Sequence, residues 1–136
     1  MTIQNQGAPR STKALGDEAE QLALEHLQRQ GLRLVRRNFR TPGRGGGEID
    51  LIMREPDGTL VFVEVRRRRS ASHGGAGASI GFVKQRRIVF AARHFLARLG
   101  HPPPCRFDAV LVQDGERQPD GPALEWLRGA FDAGGL

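Results

Sequence analysis

The sequence predicts one α/β domain in which helices cover the faces of a mixed β-sheet, in the order α-β-β-β-α-β-β. Three observations lead there. Two stretches repeat apolar residues at the helical period, several short stretches are rich in β-branched and aromatic residues, and Gly- and Pro-rich segments separate them. The length of 136 residues suits one domain, and a hydrophobic content of 38% supplies a core without disulfides.

Residues 1–12 are polar and Gly/Pro-punctuated, too poor in apolar side chains to order, and 132–136 read the same way, so the folded domain is placed at 13–131. Leu15, Ala19, Leu22, Ala23 and Leu27 recur at helical spacing, with Ser11 or Thr12 as N-cap and Gly31 as the stop. Residues 32–38, EIDLIMR at 48–54 and LVFVEVRR at 60–67 read as three successive strands, the last two joined by the turn EPDGT. After a flexible loop over 70–79, Ile80, Val83, Ile88, Ala91, Ala92, Phe95 and Leu99 mark a second amphipathic helix that Gly100 and Pro102 end. Residues 106–113 form a fourth strand, and 123–131 a fifth strand or a short helix.

The 21 basic and 15 acidic residues give a net charge of +6, which favours a polyanionic partner. Of the basic residues only Lys13 and Lys84 are lysines. Cys105 is the single cysteine and the histidines at 26, 73, 94 and 101 are scattered, so neither a disulfide nor a structural zinc is expected. No apolar run approaches the ~20 residues that span a bilayer, and no segment reads as a secretory leader. Residence in the cytoplasm, away from membranes, is the expectation.

The central hairpin concentrates the chemistry. Pairing Arg54 with Leu60 across EPDGT places Asp50 opposite Glu64 and Glu48 opposite Arg66. Strict alternation then puts these four on one face and Ile49, Leu51, Met53, Val61, Val63 and Val65 on the other, a core face. Directly opposed like charges cost roughly 0.2–1 kcal/mol, and more when desolvated. A divalent cation, or ion pairs from arginines such as Arg66 and Arg54, would offset that cost, and spacing alone leaves both open. Hard oxygen donors select Mg²⁺ or Mn²⁺ over zinc, and Mg²⁺ needs only one or two carboxylates beside water and phosphate oxygens. Asp50 and Glu64 suit that role.

The ordered runs GEID at 47–50, FVEVR at 62–66 and RFD at 106–108, with a Glu-bearing helix before them and a helix beginning near Lys84, resemble the YraN-like family of bacterial proteins over roughly residues 13–131. That family is similar to the restriction-endonuclease-like superfamily and, within it, to the archaeal Holliday junction resolvases. The resemblance implies a restriction-endonuclease-like fold with a D…ExK metal site that hydrolyses phosphodiesters. It assigns Asp50, Glu64 and Glu20 as catalytic carboxylates and as ligands of Mg²⁺ or Mn²⁺, together with the backbone carbonyl of Val65. Arg66 stands where the superfamily motif has its Lys. A guanidinium is effectively never deprotonated, so Arg66 can act only electrostatically. The expected function is a divalent-metal-dependent nuclease acting on DNA, with branched DNA as the narrower expectation and a homodimer if branched DNA is cut. The alternative is a non-catalytic nucleic-acid-binding module of the same fold; a third reading is an interaction protein whose acidic cluster is neutralised by its own arginines.

Other residues have competing readings. Glu18 and Glu20 flank the apolar stripe of the first helix on opposite sides, and the helical period does not choose between them. Glu48 is expected to pair with Arg66. Arg36, Arg37, Arg40 and Arg44 approach the site from one side in sequence and residues 66–69 from the other, with Arg66 and Arg68 on the acidic face and Arg67 and Arg69 turned away. Arg44, Arg66, Arg68 and Lys84 are the candidate phosphate contacts, Lys84 competing with a plain exposed helix charge. Asp108 is expected to pair with Arg106 or a loop backbone, and His26 to be packed.

Overall fold

The computed structural model describes residues 11–68, 80–118 and 121–133, the side chains at 115–118 excepted. Residues 1–10 of the expected tail over 1–12, Arg69, the expected loop over 70–79 and residues 134–136 of the expected C-terminal tail lie outside the described residues. The described elements run α1 (Thr12–Arg29), β1 (Arg33–Arg40), β2 (Glu48–Arg54), β3 (Leu60–Arg68), α2 (Phe82–Leu96), β4 (Cys105–Gln118) and β5 (Gly121–Phe131). The order is the one expected. The sheet runs β1-β2-β3-β4-β5, with β3 and β4 parallel and the other neighbours antiparallel. A parallel pair needs a long crossover, and α2 lies within it. Residues 123–131 belong to a strand, because they pair along β4 with Trp126 opposite Val110 and Leu127 opposite Ala109.

Ser11 caps α1, its Oγ accepting the Ala14 amide at 3.0 Å, so the helix opens at Thr12. At its other end Gly31 adopts φ 98°, a conformation that glycine takes without strain. The helix buries Ala19, Ala23, Leu24 and Leu27, while α2 buries Ile88, Ala91, Ala92, Phe95 and Leu96. Val83, expected on the buried stripe of α2, is exposed beside Phe82. Continuing the stripe one turn back from Ile88 reaches Lys84, not Val83.

The helices cover opposite faces. Ala23, Leu24 and Leu27 pack with Leu51, Met53, Val61, Val63 and Val110. Ile88, Ala92 and Phe95 pack with Phe39, Ile49, Ile52, Phe62 and Phe107, Phe39 meeting Phe95 edge to face at 5.5 Å. The hairpin register is the expected one, from Arg54–Leu60 to Leu51–Val63. The expected division of faces needs one correction. Ile49 joins the α2 core, although Leu51, two residues on, lies under α1. The neighbouring strand switches at the same level: Arg37 bonds Gln21 of α1 at 3.0 Å, Phe39 joins the α2 core, and Asn38 between them has φ 50°. Alternation is thus interrupted at Asp50, in the manner of a bulge that re-aims one side chain.

Candidate functional site

The pairing of β2 with β3 ends at Leu51–Val63, and Asp50 is the next residue. Its Oδ2 accepts the Val65 amide at 2.8 Å, and its carboxyl is hydrogen-bonded to that of Glu64. Glu64 is 8% exposed. Burial, then the charge and hydrogen bond of Asp50, push the Glu64 carboxyl up to about 8. Burial also raises Asp50, against the Val65 amide and the Glu64 bond that favour its ionised form. Burial and the proximity of two like charges thus favour a proton on the pair, most strongly on Glu64.

Lys84 is that site's nearest described ammonium, with Nζ 3.7 Å from Glu64 and 3.6 Å from Glu48. The exposed-charge reading of Lys84 is therefore corrected: it is half-buried against the acids, one turn before Ile88 on the core-facing stripe. The expected pairing of Glu48 with Arg66 gives way to Arg40, its partner across β1 at 3.4 Å, and to Lys84, because the β2–β3 ladder stops before reaching Glu48. Arg66 is half-buried, and its charge favours ionised Glu64. Arg44 lies exposed in the loop between β1 and β2, and Arg68 is half-buried at the end of β3.

The structure separates the two glutamates of α1. Glu18 binds Arg67 at 2.8 Å, and Arg67 also holds Asp114 through two bonds at 2.7 and 2.8 Å and the Leu15 carbonyl at 2.9 Å. This network ties α1 to β3 and β4, on the side away from Glu64 as alternation requires. Glu20 instead faces the acids: burial and then the Asp50 charge raise its carboxyl, against Arg37 and a hydrogen bond with Asn38. Among the described residues no three His, Cys, Asp or Glu side chains converge as a metal-binding group. Glu20 is thus within reach of the Asp50 charge. Two carboxyls and a backbone carbonyl are hard oxygen donors of the kind that Mg²⁺ and Mn²⁺ take beside water.

Asp108 has another character. Its side chain is wholly buried and accepts Arg106 at 2.8 and 3.0 Å, Trp126 Nε1 at 2.9 Å and the Gly129 amide at 2.9 Å. Arg106 reaches on to Glu55 at 2.6 Å. This is the pairing with Arg106 that the sequence suggested, and it needs no ligand.

A mixed five-stranded sheet between helices, with a buried and a half-buried carboxyl paired where its central hairpin breaks register, defines an α/β protein with an acidic centre. The chain belongs to the family described as Uncharacterised protein family UPF0102, whose sequence model matches residues 19–112, a span holding Glu20, Asp50, Glu64, Arg66 and Lys84. Among similar relatives, a UPF0102 protein of Albidiferax ferrireducens is 63% identical over 90% of this chain and 91% of its own length. One of Paracidovorax citrulli is 66% identical over 91% and 87%, and one of an Acidovorax species 64% over 95% and 93%. Among the described residues no helix is long and apolar enough to cross a membrane.

Proposed function

We propose that this protein is a divalent-metal-dependent nuclease that hydrolyses DNA phosphodiesters, branched DNA in particular, with a fold akin to the restriction-endonuclease-like superfamily and its archaeal resolvases. The observation that supports it most is the pairing of buried Glu64 with half-buried Asp50 beside Lys84, because titratable pairs with displaced pKa values concentrate at reactive sites. Asp50, Glu64 and the Val65 carbonyl would hold Mg²⁺ or Mn²⁺, which supplies Lewis acidity to water and to a phosphate oxygen. The remaining work belongs to the chain. The Val65 amide fixes Asp50, and Glu64 gives up its proton. Lys84 places beside Glu64 the ammonium that the third motif position, Arg66, does not supply, and Arg66 offers phosphate a planar fork of donors. Glu20, through the field of Asp50, sustains the acidic character of the site.

Arg44, Arg66, Arg68 and Lys84 are the proposed backbone contacts, and paired sites in a homodimer would suit branched DNA. The presence of Arg66 in place of Lys favours, as second reading, a module that binds nucleic acid without cutting it. Cleavage of linear, flapped and four-way-junction DNA in Mg²⁺ and Mn²⁺ decides between them. The parent is expected to cut and Asp50→Asn and Glu64→Gln to lose about a hundredfold or more, the scale of several kcal/mol of metal-assisted charge stabilisation. Salt-dependent binding without any cleavage would give the second reading instead.

A further inference from the structure

We propose that the loop between β1 and β2, with Arg40 and Arg87, forms a subsite for a second phosphate, the one next to the phosphodiester being cut; this rests on the nuclease reading above. A cavity of about 150 Å³ opens there, bounded by Arg40, Glu48 and Arg87 and by Gly43, Gly46 and Gly47. It is smaller than the ~300–1,000 Å³ of pockets that enclose whole small molecules, and so fits a single compact group. Its walls are built, not incidental. Thr41 Oγ1 accepts the Gly47 amide at 2.7 Å, and the Thr41 amide donates to the Gly47 carbonyl at 3.0 Å, which closes the loop on itself. A Cβ on Gly46 would stand 2.6 Å from the Thr41 carbonyl oxygen, and one on Gly47 would collide with the Arg87 carbonyl oxygen. At Gly47 the loop therefore lies directly on α2, and at Gly43, Gly46 and Gly47 it lines the cavity with backbone alone.

Charge selects an anion. Arg40 and Arg87 are exposed, and α2 contains no acidic residue. Among the described residues Glu48 is the one carboxylate lining the cavity, and it is already bridged by Arg40 at 3.4 Å and Lys84 at 3.6 Å. An exposed pair such as Arg40–Glu48 is weak, so Arg40 is free to turn to a phosphate. Glu48 lies two residues along β2 from Asp50, ~7 Å at strand spacing, comparable to the step between neighbouring phosphates of one strand.

The test compares the wild type with an Arg40→Ala/Arg87→Ala double variant, both checked for unchanged melting temperature, in binding a four-way junction without divalent metal. Binding about tenfold or more weaker, with a salt slope reduced by about 1, is expected, since losing one neutralised phosphate removes ~0.9 from the slope. Equal affinity and slope in the two proteins would overturn the subsite while leaving the nuclease reading intact. Inorganic phosphate forms the second arm. If the wild type binds no nucleic acid but is stabilised by inorganic phosphate in an Arg40- and Arg87-dependent way, the cavity holds free phosphate and both the nucleic-acid subsite and the nuclease reading fall. If neither ligand binds, the cavity is no anion site.

Discussion

Two acidic centres, one at wholly buried Asp108 and one at buried Glu64 with half-buried Asp50, sit in this small sheet and have opposite characters. At Asp108 a single carboxylate meets a bidentate guanidinium, an indole N–H and a backbone amide, so its desolvation is offset by hydrogen bonds to its charged form. At Asp50 and Glu64 two carboxyls face each other, a single amide serves Asp50, and the ammonium of Lys84 stands off at 3.7 Å. The first centre is complete within the chain. The second remains electrostatically costly until a proton or a cation enters. Burial alone therefore does not mark a functional acid; the balance of donors to charges does.

That contrast predicts opposite responses to mutation. The largest effect is expected at Asp108→Ala, which leaves Arg106 half-buried and strips the Trp126 and Gly129 donors of their partner. A loss of about 3–5 kcal/mol, read by urea unfolding, is expected from removing one member of a buried pair. Glu64→Gln should do the reverse. Glu64 holds its proton more tightly in the folded chain than in the unfolded one, so the wild type is unpenalised below about pH 4.5 and loses stability as pH rises through about 8. The neutral amide escapes that loss, and Glu64→Gln should be more stable than wild type by on the order of 2–4 kcal/mol at pH 9 and equal to it near pH 4. A variant less stable than wild type at pH 9 would erase the distinction between the centres.

Cation should do what the mutation does. Mn²⁺ at about a hundred times its Kd should stabilise the wild type by roughly 2–3 kcal/mol at pH 8, less at pH 6 where protons compete, and not at all in Glu64→Gln. The smallest stability change belongs to Lys84→Met, below about 1 kcal/mol for a half-exposed ion pair. Its cleavage rate should nevertheless fall about 10- to 100-fold, with partial recovery in Lys84→Arg. An unchanged rate would remove Lys84 from the site.

Much of the frame was legible in the residues, because it depends on periodicity and punctuation. The element order, the hairpin register set by EPDGT, the Ser11 cap and the Asp108–Arg106 pair follow from local rules. The centre was legible as a pair of acids. What alternation could not foresee was its own interruption: Ile49 and Leu51 lie on opposite faces, and Asp50 sits at the switch. Asn38 on the neighbouring strand has a positive φ, which asparagine adopts more readily than most residues, but a lone Asn in a strand-like run does not by itself announce the switch. Lys84 did carry a signal, standing four residues before Ile88 on the stripe that α2 buries, where a free surface charge would not be placed. The helical period did not choose between Glu18 and Glu20; only the resemblance favoured Glu20, and the structure places Glu18 on Arg67 and Glu20 within the field of Asp50.

The central claim is that the Asp50–Glu64 pair is a divalent-cation site. Calorimetric titration of Mn²⁺ at pH 7 in two buffers of different ionisation enthalpy tests it most directly, because it counts both the ions bound and the protons released. The account predicts one Mn²⁺ per chain with about one proton released, and loss of both in Asp50→Asn. Absence of binding by the wild type, or binding that survives Asp50→Asn with no proton released, would contradict it.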